Sequence, residues 1–278
     1  MIPDFLLIGA TKSGTTSLFD MLAKHPEVWL HPRKEVRFFT KEYNWDRGLA
    51  WYESEFEPAR NSGARAIGEA SNAYTRYPVY AGVPERISEV RPDMKLVYMI
   101  RDPMRRLESH YRHRLVTGIE WRNAEKAIRG DPRYVAASLY GQQIERYLRV
   151  FAPEQLFVAR CEGLFADPST VLNPLAEFLD LDPTRWSALK AKNVTSKRYV
   201  TPGPLRQFAR FPKLRRYVTG IGNRLSASPA RKWLISADNA VFHIGNKLRA
   251  ELAAQFEKDA QKMARLPVRV FGHDPESM

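Results

Sequence analysis

Short apolar runs alternate with segments of helical periodicity along the first two thirds of the chain. The runs are candidates for buried strands and lie at residues 5–8, 66–68, 95–100 and 156–159. Between them, apolar residues recur every three or four positions, which predicts helices near residues 15–24, 103–117, 139–151 and 171–179. This alternation predicts an α/β fold with a central parallel sheet flanked by helices. In such sheets, ligands bind at the carboxyl ends of the strands.

The length and the cysteine content limit the organisation of the chain. At 278 residues, one domain can bury roughly 75% of its unfolded surface. We therefore predict a single domain over residues 1–278, with a late amphipathic helix at 246–266. The single cysteine, Cys161, excludes a disulfide framework and a cysteine-based zinc cluster. The apolar run at 5–8 is too short for a secretion signal or a membrane span, so we expect a cytoplasmic protein.

Positive charge is concentrated in one part of the sequence. The chain carries 44 Lys and Arg against 31 Asp and Glu, a net charge of +13. Between residues 183 and 237 there are 13 basic residues and no acidic one, so the remainder is balanced. We predict that this basic segment, residues 183–237, forms a flap that helps hold an anionic ligand, or an acidic or membrane-associated reaction partner. A solvated, solubilising surface is the alternative.

The first strand candidate leads into a glycine-containing loop, residues 9–17, that precedes a helix. Backbone N–H groups in this arrangement bind phosphate. The loop departs from the Walker A pattern, because Thr15 stands where that motif has its lysine and Lys12 lies inside the loop. We therefore predict an anion-binding loop that differs from that of P-loop kinases and NTPases.

Three motifs resemble those of sulfotransferases that use 3′-phosphoadenosine-5′-phosphosulfate (PAPS), especially the heparan-sulfate branch and its bacterial relatives. The K-x-G-T-T-S loop is similar to the family's 5′-phosphosulfate loop, which implies a P-loop-like sulfotransferase fold. It also implies a donor site formed by Lys12, Ser13, Gly14, Thr15, Thr16 and Ser17. The run from Lys34 to Phe39 resembles the K-E-x-x-F-F motif, in which the glutamate is the general base, so the resemblance assigns that role to Glu35. His31 is a rival base.

The third motif follows the strand candidate at 95–100. Its R-D-P-x-x-R-x-x-S pattern resembles the family's 3′-phosphate motif, which implies that Arg101 and Ser109 contact that phosphate. The alternative is that Asp102 caps a helix and Arg101 forms a surface ion pair. Lys197 and Arg198 resemble, without its glycine, the family's late K-G-R phosphate loop, and are further candidates for binding the donor.

The resemblance implies transfer of the sulfuryl group from PAPS to an acceptor hydroxyl or amine, with adenosine 3′,5′-bisphosphate (PAP) as the second product and no metal. A small molecule, a lipid and a glycan all remain possible acceptors, and the oligomeric state is open. Two rival functions are a P-loop kinase or NTPase, which Thr15 disfavours, and a basic nucleic-acid-binding protein using the aromatic residues of the basic segment. We expect no nucleic-acid partner.

Overall fold

The computed structural model describes residues 1–186, 199–200, 235–236 and 242–272. Eight strands are present in these residues: β1 (Phe5–Gly9), β2 (Val28–Leu30), β3 (Ala66–Ala70), β4 (Lys95–Ile100), β5 (Leu156–Arg160), β6 (Tyr199–Val200), β7 (Ile235–Ser236) and β8 (Val270–Phe271). The α-helices are α1 (Thr15–Leu22), α2 (Leu49–Ser54), α3 (Val83–Val90), α4 (Pro103–Val116), α5 (Ala124–Gly130), α6 (Arg133–Ala136), α7 (Tyr140–Tyr147), α8 (Cys161–Ala166), α9 (Ser169–Phe178) and α10 (Asn246–Met263). Short 3₁₀ turns include Asn72–Thr75, directly after β3.

Six of the strands form a parallel sheet in the order β2-β3-β1-β4-β5-β8. The central strand β1 pairs with β3 on one side and β4 on the other, so successive connections run in opposite directions from it. A parallel sheet has its binding crevice at such a reversal, outside the carboxyl ends of the strands. The predicted α/β class and the central parallel sheet are confirmed.

The apolar runs are strands because both faces of the sheet are covered. On β1, Leu6 and Ile8 pack into one buried cluster, and Phe5 and Leu7 pack into another. The side chains of β4 alternate between the same two clusters. Continuous rather than alternating hydrophobicity is the pattern of a parallel strand buried on both faces.

The described chain divides into two compact units. The first comprises Met1–Pro103, Ala136–Asn193 and Phe256–Met278 and contains the six-stranded sheet. The second comprises Met104–Val135 and Val194–Gln255, including most of α4 and the antiparallel β6-β7 pair. Inside the second unit, Arg106 is completely buried and donates to the Tyr134 carbonyl. The single domain over residues 1–278 stays a prediction.

The predicted elements differ from the observed ones mainly at their ends. Helix α1 ends at Leu22, α7 covers only Tyr140–Tyr147, and α10 ends at Met263, three residues before the predicted end. The sequence pattern missed β2 and β8, which have three and two residues. None of the helices in the described part of the chain is long and apolar enough to span a membrane.

Candidate active site

Polar segments follow four adjacent strands at one edge of the sheet. The loop at 9–17 follows β1, residues 31–37 follow β2, the turn Asn72–Thr75 follows β3, and Arg101 follows β4. Backbone hydrogen bonds hold two of these segments against other strands of the sheet, since the Glu35 N–H donates to the Ala70 carbonyl of β3 and the Ala10 N–H donates to the Met99 carbonyl of β4. The parallel topology thus assembles parts of the chain that are distant in sequence into one site in the first unit.

Gly14 shapes the turn from the loop into α1. Its φ is 79°, in the left-handed region that favours glycine, and a Cβ there would lie 3.0 Å from Cys161 Sγ. The N–H groups of a helix's first turn have no acceptor within the helix and form an anion site. Next to Gly14, the hydroxyl of Ser13 is buried and has no hydrogen-bond partner among the described residues. The loop therefore offers donors to an anionic ligand.

Several cationic residues border this loop. Lys12 belongs to it and has a φ of 71°, a conformation that costs a non-glycine residue of order 1–3 kcal/mol and clusters at functional sites. Lys34 donates to Thr16 Oγ1 at 3.1 Å, and Arg101 donates to the Lys12 carbonyl at 3.5 Å. Burial lowers the pKa of Lys34, while Asp20 and Glu35 oppose that shift. The positive charge here is independent of the basic segment.

The Glu35 carboxylate is held by three hydrogen bonds. Oε1 accepts from the Asn72 N–H at 3.2 Å and from Asn72 Nδ2 at 2.7 Å, while Oε2 accepts from Arg37 Nε at 2.9 Å. Glu35 and Arg37 both have positive φ, 64° and 55°. The side chain remains 24% exposed. This carboxylate is oriented by the protein and still accessible to a reactant.

A buried network lies beneath Glu35. Glu69 is inaccessible to solvent and accepts hydrogen bonds from the hydroxyls of Tyr52, Tyr74 and Ser71. Burial raises the pKa of Glu69 to about 7; the three hydroxyls oppose this shift and the charge of Glu35 adds to it. Ser71 Oγ also accepts from the Arg37 N–H at 2.9 Å. The network therefore connects the end of β3 to the backbone that carries Glu35.

His31, the rival base, is engaged at both ring nitrogens. Its Nδ1 lies 2.9 Å from the Arg33 carbonyl, and its Nε2 lies 3.3 Å from Glu55. The ring is also 5% exposed, whereas Glu35 is more accessible. These contacts are those of a histidine that fixes its own loop, so the structure favours Glu35 over His31 as the candidate base.

The other predicted site residues fall into three groups. Arg101 lies at the carboxyl end of β4, and the N–H of the next residue, Asp102, donates to Glu162 Oε1 at 3.1 Å. Ser109 lies on α4 in the second unit, so its contact with the donor stays a prediction. Lys197 and Arg198 lie outside the described residues, as does the basic segment except for 183–186, 199–200 and 235–236.

The sequence did not reveal two residues that follow β3: one orients Glu35, and the other contacts the loop at 9–17. Asn72 is 37 positions from Glu35, and Arg76, which donates to Thr11, is 65 positions from that partner. Their only signal in the sequence is that they follow a strand candidate. No group of three or more metal-ligating side chains occurs within the described ranges.

Comparison with known proteins agrees with the geometry. The sequence profile of the sulfotransferase domain matches residues 2–215. The chain is 30% identical over 195 residues to human heparan sulfate glucosamine 3-O-sulfotransferase 5, covering 66% of this chain and 54% of that protein. It is 29% identical over 203 residues to human bifunctional heparan sulfate N-deacetylase/N-sulfotransferase 3, covering 66% and 23%. The chain thus spans about half the length, or less, of these two relatives.

Solved structures share the fold. A sulfotransferase from Alicyclobacillus acidocaldarius superposes with a TM-score of 0.64 at 26% identity, covering 95% of this chain and 94% of its own. The sulfotransferase domain from the curacin biosynthetic pathway has a TM-score of 0.54 at 15% identity, covering 97% and 99%, and supports the fold alone.

Proposed function

Since the chain belongs to the sulfotransferase family, whose donor is PAPS, we propose that it transfers the sulfuryl group of PAPS to a hydroxyl or amine of an acceptor. The products are the sulfated acceptor and PAP. We assign Lys12, Ser13, Gly14, Thr15, Thr16 and Ser17 to the phosphosulfate end of the donor, and Arg101 and Ser109 to its 3′-phosphate. Lys197 and Arg198 are additional candidates for donor binding.

The observation that carries this proposal is the pairing of an anion-binding loop with an oriented carboxylate at one edge of the sheet. The loop has a buried Ser13 hydroxyl that lacks a protein partner among the described residues. A phosphosulfate oxygen suits that donor, because a buried hydroxyl without a partner costs stability until a ligand satisfies it. The loop follows β1 and Glu35 follows β2, two parallel strands that both pair with β3, so both reach the same carboxyl edge of the sheet.

Glu35 acts as the general base in this scheme. It accepts the proton of the attacking hydroxyl or amine while the acceptor–sulfur bond forms and the bond from sulfur to the bridging phosphate oxygen breaks. Lys12 and the loop N–H groups stabilise the negative charge that grows on the phosphate. Asn72 and Arg37 keep the Glu35 oxygens in place, which reduces the reorganisation needed during the reaction.

A glycan is the acceptor class that the relatives favour, because two of them carry heparan sulfate in their names. The N-sulfotransferase and the 3-O-sulfotransferase differ in the group they sulfate, so a hydroxyl and an amine are both retained. A kinase or NTPase function is disfavoured, because Thr15 holds the position where the Walker A motif has lysine.

Transfer of ³⁵S from labelled PAPS tests the proposal. The full chain is incubated with N-sulfated and de-N-sulfated heparan oligosaccharides, a glycolipid, a phenol and an extract of the host's metabolites, and products are separated and analysed by mass. We expect a labelled product with a mass increase of one sulfuryl group, and none with Lys12→Ala. Absence of transfer to every acceptor, together with no binding of PAPS or PAP by calorimetry, would refute the proposal.

A further inference from the structure

Arg76 lies at the carboxyl edge of β3, beside the anion-binding loop, on a rigid piece of backbone. The preceding Thr75 hydroxyl donates to the Ile8 carbonyl at the end of β1, at 3.0 Å. The following residue, Tyr77, is held on both backbone groups by the Gln143 amide, at 3.1 and 2.8 Å. Anchors on both sides fix where the Arg76 side chain starts.

One donor of the Arg76 guanidinium forms a hydrogen bond with the loop, and another is buried without an acceptor in the described part of the chain. Nη2 donates to Thr11 Oγ1 at 2.6 Å, which places the group against the residue that precedes Lys12. Nε is buried and has no acceptor among the residues that the structure describes. Arginine offers five N–H donors in a planar fork that suits tetrahedral oxyanions. A buried donor of this kind is costly unless a ligand supplies the acceptor.

The electrostatic surroundings of Arg76 are mixed. Burial lowers its pKa, the charge of Glu35 and the hydroxyls of Tyr80 and Tyr43 oppose that shift, and Arg37 adds to it. The Arg76 guanidinium therefore interacts electrostatically with Glu35, the candidate base, and its Nη2 is hydrogen-bonded to the loop. An anion held between loop and base lies within the field of this guanidinium.

We propose that Arg76 binds the sulfuryl oxygens of the donor and stabilises the sulfuryl group while it passes from the phosphate to the acceptor. This inference rests on the proposed function and adds a second side-chain cation, contributed by the β3 edge, to the one contributed by Lys12. Arg76 forms no covalent bond and takes no proton. It supplies charge-assisted hydrogen bonds that persist during transfer, and these stabilise a group whose oxygens carry negative charge throughout.

A purely structural role is the competing explanation. Through Thr11, Arg76 could serve only to hold the loop in its folded form, and its removal would then disturb every ligand of the loop. The two explanations differ for PAP, which has the 5′-phosphate but lacks the sulfuryl group. A residue that binds the sulfuryl oxygens distinguishes PAPS from PAP, whereas a residue that only supports the loop does not.

Calorimetric titration of PAPS and PAP, without acceptor, into wild type and Arg76→Met separates these roles. We expect Arg76→Met to lower the affinity for PAPS about tenfold or more, the effect of losing one charge-assisted bond. The affinity for PAP should change by less than about threefold. Thr11→Val removes the hydrogen bond between Arg76 and the loop but keeps the guanidinium. It should therefore lower the affinity for PAPS less than Arg76→Met does. Arg146→Met removes a partly buried arginine that pairs with Glu85 and stacks on Tyr77, and it should change neither affinity.

Equal losses for PAPS and PAP in Arg76→Met, or matching losses in Thr11→Val, would overturn the inference in favour of loop support. Unchanged PAPS affinity in a folded Arg76→Met variant would overturn it as well. If wild type itself binds neither nucleotide, the proposed function fails and the inference fails with it. If wild type binds PAPS and transfers its label, the proposed function stands, and the Arg76 variants test the inference alone.

Discussion

Asn72 donates two hydrogen bonds to one oxygen of Glu35, from its N–H at 3.2 Å and from Nδ2 at 2.7 Å. The two residues follow neighbouring strands, β2 and β3, and meet only because those strands are parallel and paired. A base must face its proton donor in a narrow range of positions, and misplacement by about 1 Å can cost about 10²-fold in rate. Asn72 is therefore a positioning residue for Glu35.

We expect Asn72→Ala to lower kcat by about 10- to 10²-fold, with little change in the KM for PAPS, because Oε1 of Glu35 loses its shorter bond, from Nδ2, and keeps only the 3.2 Å bond from the backbone N–H. Steady-state ³⁵S transfer measures both constants. Asn44→Ala is the matched control, since Asn44 donates to the Val36 carbonyl in the same loop at 2.7 Å without bonding to Glu35. Equal effects of the two substitutions would mean that general loop support, rather than Glu35 orientation, is what Asn72 provides.

Lys12→Ala should lower kcat by about 10²–10³-fold, the range for removing one preorganised charge-stabilising donor. The reason is the position of Lys12 inside the loop with a φ of 71°. The exposed Lys24, just after α1, provides the control Lys24→Ala, which should turn over normally. A folded Lys12→Ala variant with near-normal kcat would exclude Lys12 from the reaction.

Arg101→Ala and Ser109→Ala should each lower the affinity for PAP more than the affinity for AMP, because AMP lacks the 3′-phosphate that these residues are proposed to bind. For Arg101 the selective loss should be about tenfold or more, given roughly 1.5–3 kcal/mol for a charge-assisted bond. Calorimetry with both nucleotides provides the measurement, and AMP serves as the internal control for folding. Parallel losses for PAP and AMP would argue against a 3′-phosphate role.

The strands were predictable because each is a continuous apolar run, and a parallel sheet buries both faces. The loop and Glu35 were predicted as site residues from local motifs that resemble those of a family. Asn72, Glu69 and Arg76 were not predicted, because their roles depend on contacts across 17 to 65 positions that no local pattern encodes, such as Tyr52 with Glu69 and Arg76 with Thr11. Strands β2 and β8 are too short for any periodicity to reveal them.

Glu69 should make the stability of the protein depend on pH. Its pKa is raised from 4.5 to about 7 by burial, so the fold favours the protonated form and takes up a proton between these values. The free energy of unfolding contributed by this group therefore falls as the pH rises from about 4.5 to about 7, by about 3 kcal/mol in total.

Urea unfolding of wild type and Glu69→Gln across pH 4.5–8 isolates that contribution, since the amide cannot titrate and all other groups are shared. We expect wild type to lose stability relative to Glu69→Gln as the pH rises through this range. A difference between the two proteins that is independent of pH would show that Glu69 has the same pKa in the folded and the unfolded protein, and would contradict the shift.

The central claim, that Glu35 accepts the acceptor's proton, is tested most directly by Glu35→Gln in the ³⁵S transfer assay, with PAP affinity measured on the same preparation. We predict a loss of about 10²–10⁴-fold in kcat with PAP affinity unchanged, because the amide keeps the shape of the side chain but cannot take a proton. Wild-type turnover by Glu35→Gln, combined with loss of activity in His31→Gln, would contradict the assignment.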